Sequence, residues 1–216
     1  MNEILARRFT GWSGLAAAVA LIVVVPLYFV YSGPPPDANV LSRLLVSILA
    51  LGAILLFVTG FRELVATVSP EYRWTGSFVF AGGLGYVLVN LVSNGLEAGS
   101  VIAAARPVDP TIAESGTYVL YGTVGRMLMG IFLIAVGFAV ARTRVLPRWT
   151  GRAATVLGVL SLAMMPSLFF GNDPAFGYAA NGWGTTATMS ALFSPWLLAT
   201  GIATVRSGAW ALNRSV

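Results

Sequence analysis

The chain has 216 residues, 57% of them hydrophobic and only 10% charged, with a net charge of +5 and a mean hydropathy of +0.81. A soluble domain carries roughly 25% charged residues, so this chain lacks the polar surface that water would require and reads as a membrane protein. It has no Cys, His or Lys, its 13 basic residues all being Arg; disulfides, thiolate nucleophiles, histidine-held metals or haem, Ser–His dyads and Schiff bases are therefore excluded.

Apolar runs of about 20 residues predict membrane-spanning helices. Six are predicted, over residues 12–31, 40–59, 75–96, 118–140, 152–170 and 186–205. Arg7 and Arg8 precede the first. A tight turn, GPPPDAN (33–39), leads to the second and offers Asn39 as a helix cap. Arg62 and Arg73 follow the second span, and the loop RPVDPTIAESG (106–116) follows the third. Arg142, Arg144 and Arg148 separate the fourth span from the fifth. The Gly- and Asn-rich loop GNDPAFGYAANGWG (171–184) precedes the sixth, and Arg206 and Arg214 come after it. The aromatic rings of that loop, Phe176, Tyr178 and Trp183, suit an interfacial belt or a cover over a cavity. Arginine thus gathers on alternate connections, which by the positive-inside rule puts both termini in the cytoplasm. Arginines at helix ends give no reason to expect a nucleic-acid partner. Pro26, Pro166 and Pro195 lie inside spans and are expected to kink them. The predicted fold is an all-α, polytopic transmembrane bundle of six helices, with residues 1–216 forming one transmembrane domain, multi-pass in the cell membrane.

One tetrapeptide recurs. RFTG stands at residues 8–11 and RWTG at 73–76 and 148–151, each where the chain enters a span from the cytoplasmic side. The Arg suits lipid phosphate, the ring an interfacial position, and the Thr a cap for the first helical turn. The copies are expected to start helices one, three and five. They fit either convergent anchoring at one interface or three helical hairpins around a central space.

Polar residues inside apolar spans are where function is sought in a membrane protein. In the third span Tyr86, Asn90, Asn94 and Glu97 fall at i, i+4, i+8 and i+11, on one helix face. The fourth span carries Arg126 near its middle, with Gly122 and Gly130 one turn to either side, which lets a neighbour approach closely. Arg43, with Ser47 beyond it, lies one turn inside the second span. Two readings fit these groups: an interhelical polar network, with Arg43 snorkelling outward, or a cavity in the outer half of the membrane that takes a ligand. Glu63, beside Arg62, lies at the cytoplasmic end of the second span, where an interfacial ion pair is its ordinary role.

The six-span layout, the Gly-Pro-Pro-Pro turn and the segment RTRVLPRWTGRAATVLGVLSL (142–162) resemble a broad set of small actinobacterial membrane proteins, mostly of unknown function, in which LPRW precedes a Gly-rich span. In size and general chemistry, though in no specific motif, the chain is also similar to the integral membrane terpene cyclases, helical bundles that use carboxylic acids in an aromatic cavity without a metal. That second resemblance implies acid-initiated, metal-independent cyclisation of an isoprenoid-type substrate, a chemistry that survives the exclusions above. Glu97 is then the candidate acid and Glu63 the next; Tyr86, Asn90, Asn94, Tyr121, Arg43 and Arg126 are candidates for binding substrate. An arginine beside Glu97 would keep it ionised, so this reading requires Glu97 to stand apart from Arg126. The alternative is a non-catalytic lipid-binding, transport or accessory subunit, in which Arg43 and Arg126 hold an anionic head group. Neither reading calls for a cofactor or a metal, and in both the partner is a membrane lipid or isoprenoid molecule.

Overall fold

The computed structural model describes residues 2–31, 33–173 and 175–213, and all the regular structure among them is helical. The long helices are α1 (Glu3–Leu27), α2 (Asp37–Val68), α3 (Arg73–Ala103), α4 (Gly125–Thr143), α5 (Arg148–Ala163) and α6 (Met189–Asn213). Shorter turns extend four of the six. A 3-10 turn, Pro70–Tyr72, leads into α3, and another, Met165–Phe170, follows α5. Wide π turns at Val119–Val124 and Gly184–Thr188 lead into α4 and α6. Six helical segments are consequently long and apolar enough to cross a membrane: Glu3–Leu27, Asp37–Val68, Pro70–Ala103, Gly116–Thr143, Arg148–Phe170 and Gly184–Ser207.

Several helix ends differ from the sequence expectation, each for a local reason. α1 starts at Glu3, nine residues before the expected 12, because the Asn2 side chain accepts the Leu5 amide (2.8 Å) and Glu3 pairs with Arg7 (2.8 Å) one turn on. The first Arg-aromatic-Thr-Gly copy therefore lies inside α1 and not at its start. α2 begins at Asp37 behind Pro36, so Asn39 sits in the first turn, and its amide nitrogen reaches the Leu27 carbonyl (3.5 Å). Pro26 occupies the last turn of α1, and Pro166 lies in the 3-10 turn after α5; both accompany helix endings and do not kink a mid-span segment. Pro195 alone lies well inside a helix, α6.

Each helix packs on its sequence neighbours. α1 lies against α2 and also against α6, α2 against α3, α3 against α4, and α4 against α5; α5 and α6 touch only lightly. That light contact means the bundle is not built from three equivalent hairpins of α1–α2, α3–α4 and α5–α6. Its aromatic core comes mainly from the even helices, joined by Tyr86 of α3, whose ring lies 6.3 Å from that of Phe193. Phe57 and Phe61 of α2, Phe132 of α4, and Phe193 and Trp196 of α6 are all buried. Phe193 and Trp196 stack at 5.6 Å, and the edges of Phe57 and Phe132 meet the Trp196 ring at 6.4 Å. The Trp196 indole also donates to the Thr150 carbonyl of α5 (3.0 Å).

The repeated tetrapeptide serves this packing. In each copy the Arg and the ring are solvent- or lipid-accessible, while the Thr is buried. The Thr hydroxyl donates one turn back, to the carbonyl of Ala6, Tyr72 or Pro147, and does not cap an amide. The Gly of each copy packs tightly against an even-numbered helix. A Cβ on Gly11 would lie 2.9 Å from the Val205 nitrogen of α6, one on Gly76 3.1 Å from the Arg62 carbonyl oxygen of α2, and one on Gly151 2.8 Å from the Val140 Cβ of α4. Small residues let helices approach where no hydrophobic force drives them together. All three copies lie at one end of the bundle, where Arg7 donates to the Val145 carbonyl (2.8 Å) and to Ser207 Oγ (3.0 Å).

Candidate functional site

At the other end the helices enclose a cavity of about 340 Å3. The polar stripe of α3 forms one wall, with Tyr86, Asn90, Asn94 and Glu97 all facing the space. Their i, i+4, i+8, i+11 spacing puts them there, since each step returns to nearly the same face. Asn90 donates to the Tyr86 carbonyl (2.8 Å), while the Asn94 amide nitrogen has no partner.

The two π turns shape the facing walls. Tyr121 and Arg126 are five residues apart, which on a regular α-helix is about 140° of rotation. The wide turn over Val119–Val124 brings both to the cavity, as π turns at functional sites often do. The turn over Gly184–Thr188 offers the Thr186 carbonyl, which accepts from Arg126 Nη2 (3.1 Å) and from Ser190 Oγ (3.0 Å). Gly122 and Gly130 admit neighbours as expected: a Cβ on Gly122 would meet the Ala180 carbonyl at 3.1 Å, and one on Gly130 the Gly158 carbonyl of α5 at 3.0 Å.

Arg126 is 5% exposed and Glu97 is 3% exposed. Arg126 is poorly satisfied. Besides Thr186 it has the weak acceptor Met129 Sδ (3.4 Å), and its Nε has no partner. Neither asparagine of α3 bonds to it. Glu97 Oε2 is also unpartnered. Among the described residues the one ion pair within 4 Å is Arg7–Glu3, so Glu97 and Arg126 line one cavity without pairing.

The remaining candidates separate. Arg43 is buried, and it faces a neighbouring cavity at the α1–α2 turn with its guanidinium 4.2 Å from the centre of the Tyr28 ring. Glu63 does not line the large cavity; it lies near the far end of α2, toward the repeats, with Thr67 donating to its carbonyl. The structure adds residues that the apolar spans did not reveal. Asn181 and Trp183 reach the cavity from the 171–184 loop, and both side-chain atoms of Asn181 are buried without partners. That loop folds inward because Thr185 Oγ1 bonds to the Ala179 and Gly182 carbonyls (2.8 Å each), which buries Ala179 and Ala180. Trp183 lines the cavity, while Phe176 and Tyr178 pack beside Phe170. Leu21, Val24, Val25 and Leu51 supply an apolar side, and the exposed rings Phe29 (66%) and Trp183 (58%) stand at the rim.

The cavity joins one cation, one carboxyl group, three amides and several rings to an aliphatic wall. Such a site suits a molecule with a polar head and a hydrocarbon body. No protein-family model, curated protein or solved structure matches the chain.

Proposed function

We propose that the chain is a multi-pass protein of the cell membrane, with both ends on the cytoplasmic side, that binds an amphiphilic lipid- or isoprenoid-type molecule in the outer-half cavity. The acidic or strongly hydrogen-bond-accepting head lies against Arg126, with Asn90, Asn94 and Asn181 as further donors. The hydrocarbon runs along Leu21, Val24, Val25 and Leu51 and leaves past Phe29 and Trp183. One observation carries this reading: Arg126 is buried at a cavity wall, and among the described residues no carboxylate lies within 4 Å of it and its Nε has no partner. A buried charge without a partner costs several kcal/mol, and an anionic head group would remove that cost. Lipid extraction and mass spectrometry of purified wild-type protein and of Arg126→Met tests it; the amphiphile is expected in the first and not in the second.

A sharper reading has support of its own. Among the described residues no arginine lies within 4 Å of Glu97, as an acid role requires, and the rings of Tyr28, Phe29, Tyr86, Tyr121 and Trp183 line the same space. In this reading the bound isoprenoid is cyclised: Glu97 protonates the chain, the aromatic faces stabilise the carbocations, and the final cation loses a proton back to the Glu97 carboxylate, so the net reaction is an isomerisation. Loss of product with Glu97→Gln, in protein that still binds substrate, is the result that separates catalysis from binding alone.

A further inference from the structure

A second cavity, of about 280 Å3, lies beside the first and is lined by Tyr28, Tyr31, Pro34, Pro35, Arg43 and Asp109 among others. It sits where α1 ends and α2 begins, with Asp109 coming from the loop after α3. Arg43 is 3% exposed, and its Nε and Nη2 have no hydrogen-bond partner. On the other wall, Asp109 caps the turn Pro110–Ala113, its Oδ1 accepting the Thr111 amide (3.1 Å) and the Thr111 hydroxyl (2.7 Å). Arg43 and Asp109 border one space, yet they do not approach within 4 Å of each other.

This pairing of opposite charges across a gap selects a ligand. A simple anion on Arg43 would face the Asp109 carboxylate, and a simple cation near Asp109 would face the guanidinium. A molecule carrying both charges satisfies both walls. Tyr31 lines the same cavity, and an aromatic ring can attract an ammonium. Arginine forks match the oxygens of a phosphate. We propose that this cavity is a binding site for a zwitterionic phosphate–ammonium group, with the phosphate on Arg43 and the ammonium toward Asp109. The ends of spanning helices lie at the level of lipid head groups, so an ethanolamine phospholipid and a soluble phosphoamine are the two sources of this chemistry. Neither Arg43 nor Asp109 lines the Arg126 cavity, although Tyr28, which carries the Arg43 guanidinium on its ring, borders both.

The test uses the full chain, purified in mild detergent and titrated with phosphatidylethanolamine or phosphatidylglycerol of matched acyl chains, with bound lipid read by native mass spectrometry. Wild-type protein is expected to prefer the zwitterionic lipid by about ten-fold. Arg43→Gln is expected to lower its binding by a similar factor. Asp109→Asn is the decisive variant, since an amide oxygen keeps the Thr111 bonds and the residue lies outside the long helices; it is expected to erase the preference by letting the anionic lipid bind equally well. Soluble phosphoethanolamine then separates the sources. Displacement of the lipid means that the head group suffices, and lack of displacement means that the acyl chains hold the lipid in place. Equal binding of the two lipids by wild-type protein, or an unchanged preference in Asp109→Asn, overturns the proposal.

Discussion

The contact between Gly151 and α4 gives the clearest quantitative expectation. A methyl group at Gly151 would sit 2.8 Å from Val140 Cβ and 2.9 Å from its Cγ1. Carbon atoms prefer about 3.5 Å or more, so α4 and α5 would have to separate by roughly 0.7 Å. Such overpacking costs about 1–3 kcal/mol. Replacing helical Gly by Ala returns up to about 1 kcal/mol through backbone entropy. The net expectation for Gly151→Ala is a loss of about 1 kcal/mol. Gly52 is the matched control. It lies inside α2, where a Cβ would meet no atom within 4 Å, so Gly52→Ala is expected to gain about 0.5–1 kcal/mol. Unfolding of the two variants in one mild detergent, followed by circular dichroism, should shift them in opposite directions from wild type and separate them by about 1.5–2 kcal/mol. If both variants shift the same way, the claim that the repeated Gly serves close helix approach is refuted.

Trp196→Phe removes the indole bond to the Thr150 carbonyl while keeping a ring in the core, and should cost about 1 kcal/mol in the same unfolding assay. Glu97→Gln preserves size and hydrogen-bonding capacity; it should leave the unfolding midpoint nearly unchanged and abolish isoprenoid product in a cell-based assay. Glu63→Gln should leave both unchanged, because Glu63 does not line the cavity; product loss with Glu63→Gln and not with Glu97→Gln would reverse the assignment of the acid. A membrane-impermeant thiol reagent on intact cells should label Arg106→Cys and spare Arg144→Cys, and the reverse pattern would invert the orientation.

The six spans were legible because hydrocarbon imposes a long, unbroken apolar run on any helix that crosses it. The wall formed by α3 was legible for a related reason, since a helix places Tyr86, Asn90, Asn94 and Glu97 on one face whatever surrounds it. Features set by contacts between segments were not. Whether Arg43 and Arg126 share a cavity depends on how α2 and α4 are rotated in the bundle, which spacing along either helix does not fix. The π turn that brings Tyr121 and Arg126 to one wall has no signature in hydropathy. Asn181 belongs to a loop, and its burial depends on Thr185 bonding back to Ala179 and Gly182. The Thr of the repeat suited a cap by residue type; an N-terminal extension through Asn2, Glu3 and Arg7 moved the start of α1 upstream of it.

The central claim is that Arg126 holds the polar head of an amphiphile. Its most direct test compares the lipid complement of wild-type protein with that of Arg126→Met, each extracted after detergent purification and measured by mass spectrometry. Methionine fills similar space without a charge, and removing an unpaired buried charge is expected to leave the empty protein at least as stable. Wild type should carry an acidic or strongly accepting amphiphile, near one per chain, that Arg126→Met lacks while remaining folded. An identical complement in the two proteins would contradict the account.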